Sequence, residues 1–174
     1  AERARELLSR LGEDFKAVDQ EFGFERVDTG GAQKTVRFVF RRSPALMKPF
    51  NLLHVVTRSD PPNDVPGMAT VTLDPSGRLI GFSRIVTNPP PRFIAPAWTD
   101  VFREAGLDFN AFSRAQADQR PLVPHDEVMA WVRREPDGTP MRVTSATLGQ
   151  TPVAFDVQPI SGEDRDRGVI TTGR

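Results

Sequence analysis

Met68-Ala69-Thr70-Val71-Thr72-Leu73-Asp74-Pro75-Ser76-Gly77-Arg78-Leu79-Ile80-Gly81-Phe82-Ser83-Arg84-Ile85-Val86 is the stretch on which the fold turns. Residues 68–73 read as one strand and 78–86 as its return. Between them Asp74, Pro75 and Gly77 occupy positions i, i+1 and i+3 of a type I turn. Asp accepts backbone hydrogen bonds there, Pro presets φ, and Gly tolerates the exit. An antiparallel hairpin is therefore the seed of the domain. Upstream, residues 58–67 hold three prolines, which remove ladder donors and make this segment a loop. Residues 51–57, rich in Val and Leu, read as a further β-like run. From Lys34 the period is two: Val36, Phe38 and Phe40 alternate with Arg37, Val39 and Arg41, the pattern of a half-buried strand ended by Ser43-Pro44.

Thr29-Gly30-Gly31 is a loop. Ahead of it, Ala4, Leu7, Leu8 and Leu11 fall at i, i+3, i+4 and i+7, which predicts a helix closed at Gly12. Phe15, Val18 and Phe22 stay roughly in phase, so the alternative is a helix that runs on past Gly12; with the break at Gly12, a short second helix could precede Gly23. Downstream, Asn88-Pro89-Pro90-Pro91 stops the hairpin. Pro96 suits the first turn of a helix that carries Trp98, Val101, Phe102 and Ala105 and closes at Gly106, with Leu107 packing back. Residues 108–124 read as irregular, anchored by Phe109 and Phe112. Asp126 is the expected cap of a short helix with Val128, Trp131 and Val132, and Arg133 and Arg134 suit its negative end. Residues 141–148 and 151–157 form a closing hairpin through Gly149-Gln150, read as a type II′ turn.

The expected fold class is α+β: an antiparallel meander sheet with helices packed on one face. Residues 1–160 form one domain, divisible into sub-units of about 1–90 and 91–160, and 161–174 is a linker or tail. Each half runs from helices to a hairpin, but the spacings differ too much for a sequence repeat. The chain opens on Ala1 directly into a charged helical pattern without a leader signature, so it reads as a piece of a longer protein.

Charge and composition narrow the function classes. The 174 residues carry 23 Lys+Arg against 23 Asp+Glu, two His and no Cys. Scattered basic residues and zero net charge argue against a nucleic-acid partner. Without Cys there are no disulfides, thiolate chemistry or Cys-bearing zinc sites. No run approaches the ~18 apolar residues of a membrane span.

His54 and His125, with Asp60, Asp64, Asp126 and Glu127 near them in sequence, could hold a metal or move protons, yet no HxxxH or HExxH spacing is present. Asp74 belongs to its turn, and no EF-hand loop accompanies Asp60 and Asp64. Ser9, Ser43, Ser83 and Ser145 lack a GxSxG elbow. Glu163-Asp164-Arg165-Asp166-Arg167 reads as a solvated linker. Arg37, Arg41 and Arg42 on one strand and its exit, with Arg58 and Arg84 on neighbours, could form an anion-reading face. The same alternation also describes the wet side of a sheet. The candidate ligand-binding residues are Arg37, Arg41, His54 and Arg84; no catalytic, metal or cofactor residue is expected, and no cofactor.

A longer ordered string of motifs runs through residues 1–160. It comprises Leu11-Gly12, Phe22-Gly23-Phe24-Glu25, Phe40-Arg41-Arg42-Ser43-Pro44, Asp60-Pro61-Pro62, Pro66-Gly67-Met68 and the hairpin from Val71 to Phe82. Trp98 to Phe102, Glu104-Ala105-Gly106-Leu107-Asp108, Trp131 and Gly149-Gln150-Thr151-Pro152-Val153-Ala154-Phe155 complete it. In this order it resembles the extracytoplasmic, non-kinase region of membrane-bound serine/threonine protein kinases of soil bacteria, notably acidobacterial ones. The resemblance implies a non-catalytic sensor or interaction module outside the membrane, in a membrane-anchored signalling protein whose kinase domain lies elsewhere. Its partners would be a small-molecule or protein ligand and the parent membrane protein. None of the kinase signatures occurs here, so no catalytic residue carries over. The element order is also similar to PepSY-like and cystatin-like modules, an analogy of fold alone. Two other readings stand beside it: a small hydrolase or isomerase built on a His–carboxylate pair, and a structural spacer.

Overall fold

The computed structural model describes residues 1–12, 16–28, 34–86, 98–134, 138 and 140–159. The loop at Thr29-Gly30-Gly31, the proline run 88–91, Pro96, Phe15 and the tail with its charge run lie outside the described residues. Helix α1 (Glu2–Arg10) leads into strands β1 (Asp19–Asp28), β2 (Lys34–Ser43), β3 (Ala69–Leu73) and β4 (Leu79–Arg84). Helix α2 (Trp98–Glu104) and a 3-10 turn (Phe109–Ala111) lead into β5 (Ser113–Ala115), β6 (Glu127–Arg134), β7 (Pro140–Leu148) and β8 (Thr151–Pro159). One helix followed by four strands thus occurs twice. The two meanders share a single antiparallel sheet of order β1-β2-β3-β4-β8-β7-β6-β5, joined last strand to last strand at β4–β8.

The expected α+β class is corrected by this architecture: the fold is mainly β. Helices of nine and seven residues are too short to form a layer over eight strands, and two segments expected to be helical are extended. Residues 19–28 form edge strand β1, and 127–134 form β6. In β6, Met129, Ala130 and Trp131 are all buried. A strand covered on both faces loses its alternation, and Val128, Trp131 and Val132 then fall by coincidence at helical spacing. Asp126 caps no helix; its carboxylate accepts from the Gly149 N–H at 2.6 Å. Conversely, residues 51–57 pair with no strand and form a loop. The turn at Gly149-Gln150 has φ of 53° and 70°. Two successive positive values make it type I′ rather than II′.

The hairpin 68–86 is built as its sequence dictates. The Asp74 carboxylate accepts from Ser76 N and Oγ and from Arg78 N and Nε at 2.6–2.9 Å. Burial would raise its pKa, but these bonds from Ser76 and Arg78 prevail and hold it below the usual carboxylate range. Helix α1 ends at Leu11-Gly12, where Gly12 takes φ 82°. Helix α2 closes with Gly106 N–H on the Arg103 carbonyl and Leu107 N–H on that of Phe102, both 2.9 Å.

Register decides where the core sits, because residues paired across a sheet share a face. One row across the centre reads Phe40, Val71, Phe82, Phe155, Ser145, Met129. Leu7 and Leu8 of α1 and Val101 and Phe102 of α2 belong to the same buried cluster. Glu104 ties the helices together by accepting from Arg10 at 2.5 Å and from Arg3. The adjacent row on the other face reads Val39, Thr72, Gly81, Asp156, Thr144, Ala130. Bulky side chains fill one face, and short ones leave space above the other.

Candidate functional site

That space is a cleft of about 490 Å³. Its floor is Thr70, Thr72, Gly81, Ser83, Thr144, Ala154 and Asp156. The β2–β3 loop walls one side with Arg58, Ser59, Pro62 and Asn63, and the β5–β6 loop walls the other with residues 119–123. Arg37 and Glu25 stand at one end, joined by an ion pair of 2.8 Å.

Each wall is anchored by side chains of the sheet. Asn63 folds over the floor, its Nδ2 donating to Thr70 Oγ1 and Ser83 Oγ, both at 3.1 Å. Buried Arg41 holds the same loop from beneath by donating to the Thr57 carbonyl and Asn63 Oδ1, both at 2.8 Å. Burial lowers the Arg41 pKa, against the pull of the Asp60 and Asp64 carboxylates. Val123 clips the opposite loop to the sheet by packing with Ile85, Ala146, Val153 and Ala154.

Asp156 is the central charged group. Its Oδ1 lies 3.3 Å from Arg58 Nη2, and its Oδ2 accepts from the Gln158 amide. Burial pushes the Asp156 carboxyl above the usual range, although Arg58, Gln158 and Arg37 all favour its ionised form. Gly81 makes room for the pair: a Cβ there would stand 3.2 Å from Asp156 Oδ1 and 3.4 Å from the Phe155 carbonyl oxygen. On either side of Gly81 and Asp156 the floor presents Thr72, 2% exposed, and Thr144, 8% exposed. Both line the cleft.

The four residues singled out in the sequence are not brought together. Arg37 lines the cleft, and Arg41, on the same face of β2, braces its wall. Arg84 faces the opposite side, where it donates to the Pro152 carbonyl at 2.6 Å and the Leu11 carbonyl at 2.8 Å. His54 is exposed in the β2–β3 loop with φ 51°. His125 sits in the β5–β6 loop with Nδ1 2.8 Å from the Val123 carbonyl oxygen. Among the described residues no His is hydrogen-bonded to a carboxylate, and no cluster of three or more His, Asp or Glu could hold a metal. Sequence reasoning missed Thr72, Thr144 and Asp156. Only the register, which aligns them across β3, β7 and β8, singles them out.

No family profile, curated protein or solved structure matches this chain. Among the described residues no helix is long and apolar enough to cross a membrane.

Proposed function

We propose that the chain is a non-catalytic binding domain that takes a small polar ligand in the cleft between the β2–β3 and β5–β6 loops. The observation that carries this reading is the cleft of about 490 Å³ over a floor of short side chains, with the Arg58–Asp156 pair in it and Arg37 at one end. The volume lies within the range of roughly 300–1,000 Å³ that ligand pockets occupy. Arg37 and Arg58 suit an anionic group, and Asp156 suits a donor beside it. Amino acids and acidic sugars, which carry both features, are the ligand classes favoured.

The setting proposed from the sequence is the extracytoplasmic part of a membrane-anchored serine/threonine kinase. There, occupation of the cleft would bias the kinase only by preferring one domain arrangement over another.

The test is a comparison of wild type with Thr72→Val and Thr144→Val in thermal shift against a panel of amino acids and acidic sugars. Each variant is expected to lose the temperature shift that a panel member gives wild type. No shift of wild type by any panel member, or equal shifts of wild type and both variants, would overturn the reading.

A further inference from the structure

The two edges of the sheet are built differently. Strand β5 ends one side with three residues, whereas β1 runs ten residues along the other and pairs with β2 from end to end without a bulge. Among the described residues no strand pairs with the outer edge of β1. Unpaired N–H and C=O groups on an edge are a template for another strand, and brevity, proline, lysine or a bulge commonly blunts them. Strand β1 carries none of these devices.

Two features of β1 have no explanation within one copy of the chain. Phe22 is 59% exposed and Phe24 76%, neighbours on the helix-bearing face, both against the ring of Phe38 with centroids at 6.1 and 5.5 Å. Between them Gly23 lies in mid-strand without a positive φ, and a Cβ there would meet nothing within 4 Å. Glycine weakens a strand interior and marks the close approach of another backbone. Neither a turn nor the chain's own packing requires it at this position.

We propose that β1 pairs antiparallel with β1 of a second copy, about a two-fold axis perpendicular to the sheet at Phe24. Symmetry and charge select this register. In a closed two-fold pair, residues equidistant from the axis meet and must share a face, so the axis passes through one residue position. Axes at Glu21, Glu25 or Arg26 would set that charge against its own copy. An axis at Phe22 would oppose Asp19 to Glu25, and one at Gly23 would oppose Glu21 to Glu25. Like charges directly opposite are destabilising, and axes nearer either end pair only the strand's tips. The axis at Phe24 opposes no like charges. It sets Phe24 on the partner's Phe24, Phe22 on the partner's Arg26 and Gly23 on the partner's Glu25. The exposed rings are then covered by each other and by a guanidinium, which is attracted to an aromatic face. Glu25 is held by Arg37 at 2.8 Å, and the missing Cβ of Gly23 leaves room for that ion pair. The result is one continuous sheet with both clefts on one face and both pairs of helices on the other.

The test is sedimentation velocity of the 174-residue chain from about 1 μM to about 1 mM. Wild type is expected to pass from monomer to dimer as concentration rises. Phe24→Lys, which sets two ammonium groups on the axis, is expected to lower the association constant at least about ten-fold. Phe24 is exposed, so the melting temperature of the dilute variant should lie close to that of dilute wild type. The chain has no Cys, and Phe24→Cys therefore supplies a single thiol at the axis, where opposed Cα atoms about 4.5–5.5 Å apart suit a disulfide. With diamide it is expected to cross-link far faster than Gln20→Cys, whose two thiols would lie at opposite ends of the paired strands. Equal cross-linking at both positions, or a Phe24→Lys variant that dimerises as tightly as wild type, would overturn the proposal. Wild type that stays monomeric throughout the range would overturn it too, leaving the edge to a strand from another protein.

Discussion

Phe102→Ala is expected to lower the stability of the chain by about 3–5 kcal/mol. Phe102 is fully buried in α2 and is the hub of the aromatic core. Its ring meets Phe109 at 5.0 Å, Phe112 at 5.2 Å, Trp131 at 5.4 Å and Phe155 at 5.6 Å, all near edge-to-face. Such contacts are favoured by the ring quadrupoles, in addition to the area they bury. Phe155 in turn stacks on Phe82 across the β4–β8 seam, so one side chain links α2, the 3-10 turn and the junction of the two meanders. Truncation leaves a cavity that rigid strands cannot close. Urea denaturation of the variant measures this, with Phe102→Leu as the milder control. A loss below about 1 kcal/mol would mean that the core repacks around the missing ring.

Arg84→Ala should cost a comparable amount, about 3–5 kcal/mol, because two hydrogen bonds from a charged donor, worth about 1.5–3 kcal/mol each, are lost. Arg84 is 1% exposed, at the end of β4. Its guanidinium joins the Pro152 carbonyl of β8 to the Leu11 carbonyl at the end of α1. Helix-terminal carbonyls lack intrahelical donors, and a cation also complements that end of the dipole. The side chain therefore fastens the first helix to the seam between the meanders. Arg84→Lys is expected to recover only part of the loss, because a single ammonium does not reproduce a planar fork reaching two elements. Equal stability of wild type and the alanine variant in the same urea titration would contradict this structural role.

Some of the fold was legible locally. The hairpins 68–86 and 141–157 and the ends of both helices rest on turn and cap chemistry, which acts within a few residues and is written in Asp74, Pro75, Gly77, Gly12 and Gly106. What the sequence concealed depended on distant partners. In β1, Phe22-Gly23-Phe24-Glu25 alternates, but the spacing of Phe15, Val18 and Phe22 mimics a helix, and pairing with β2 decides between them. In β6, burial on both faces erased the alternation. The Val- and Leu-rich run 51–57 has strand composition but no neighbour to pair with, and Asn51 and Asp60 hold it as a loop instead.

The cleft was less legible still. Arg37 and Arg41 were visible as alternating cations, and Arg58 as a possible neighbour. Thr72, Gly81, Asp156 and Thr144 are ordinary residues in four separate strands, and nothing in their spacing joins them. Arg84 looked like a companion of Arg37, but register turns it to the opposite face, where it supports the core.

The measurement that tests the binding site most directly is a map of backbone amide shifts in the 174-residue chain as the panel of amino acids and acidic sugars is titrated in. Shifts are expected to gather at residues 58–63, 70–72, 81–83, 119–123, 144 and 154–158, the floor and walls of the cleft. Shifts that avoid these segments and gather on the helix-bearing face, or no saturable shift with any panel member, would contradict a ligand site there.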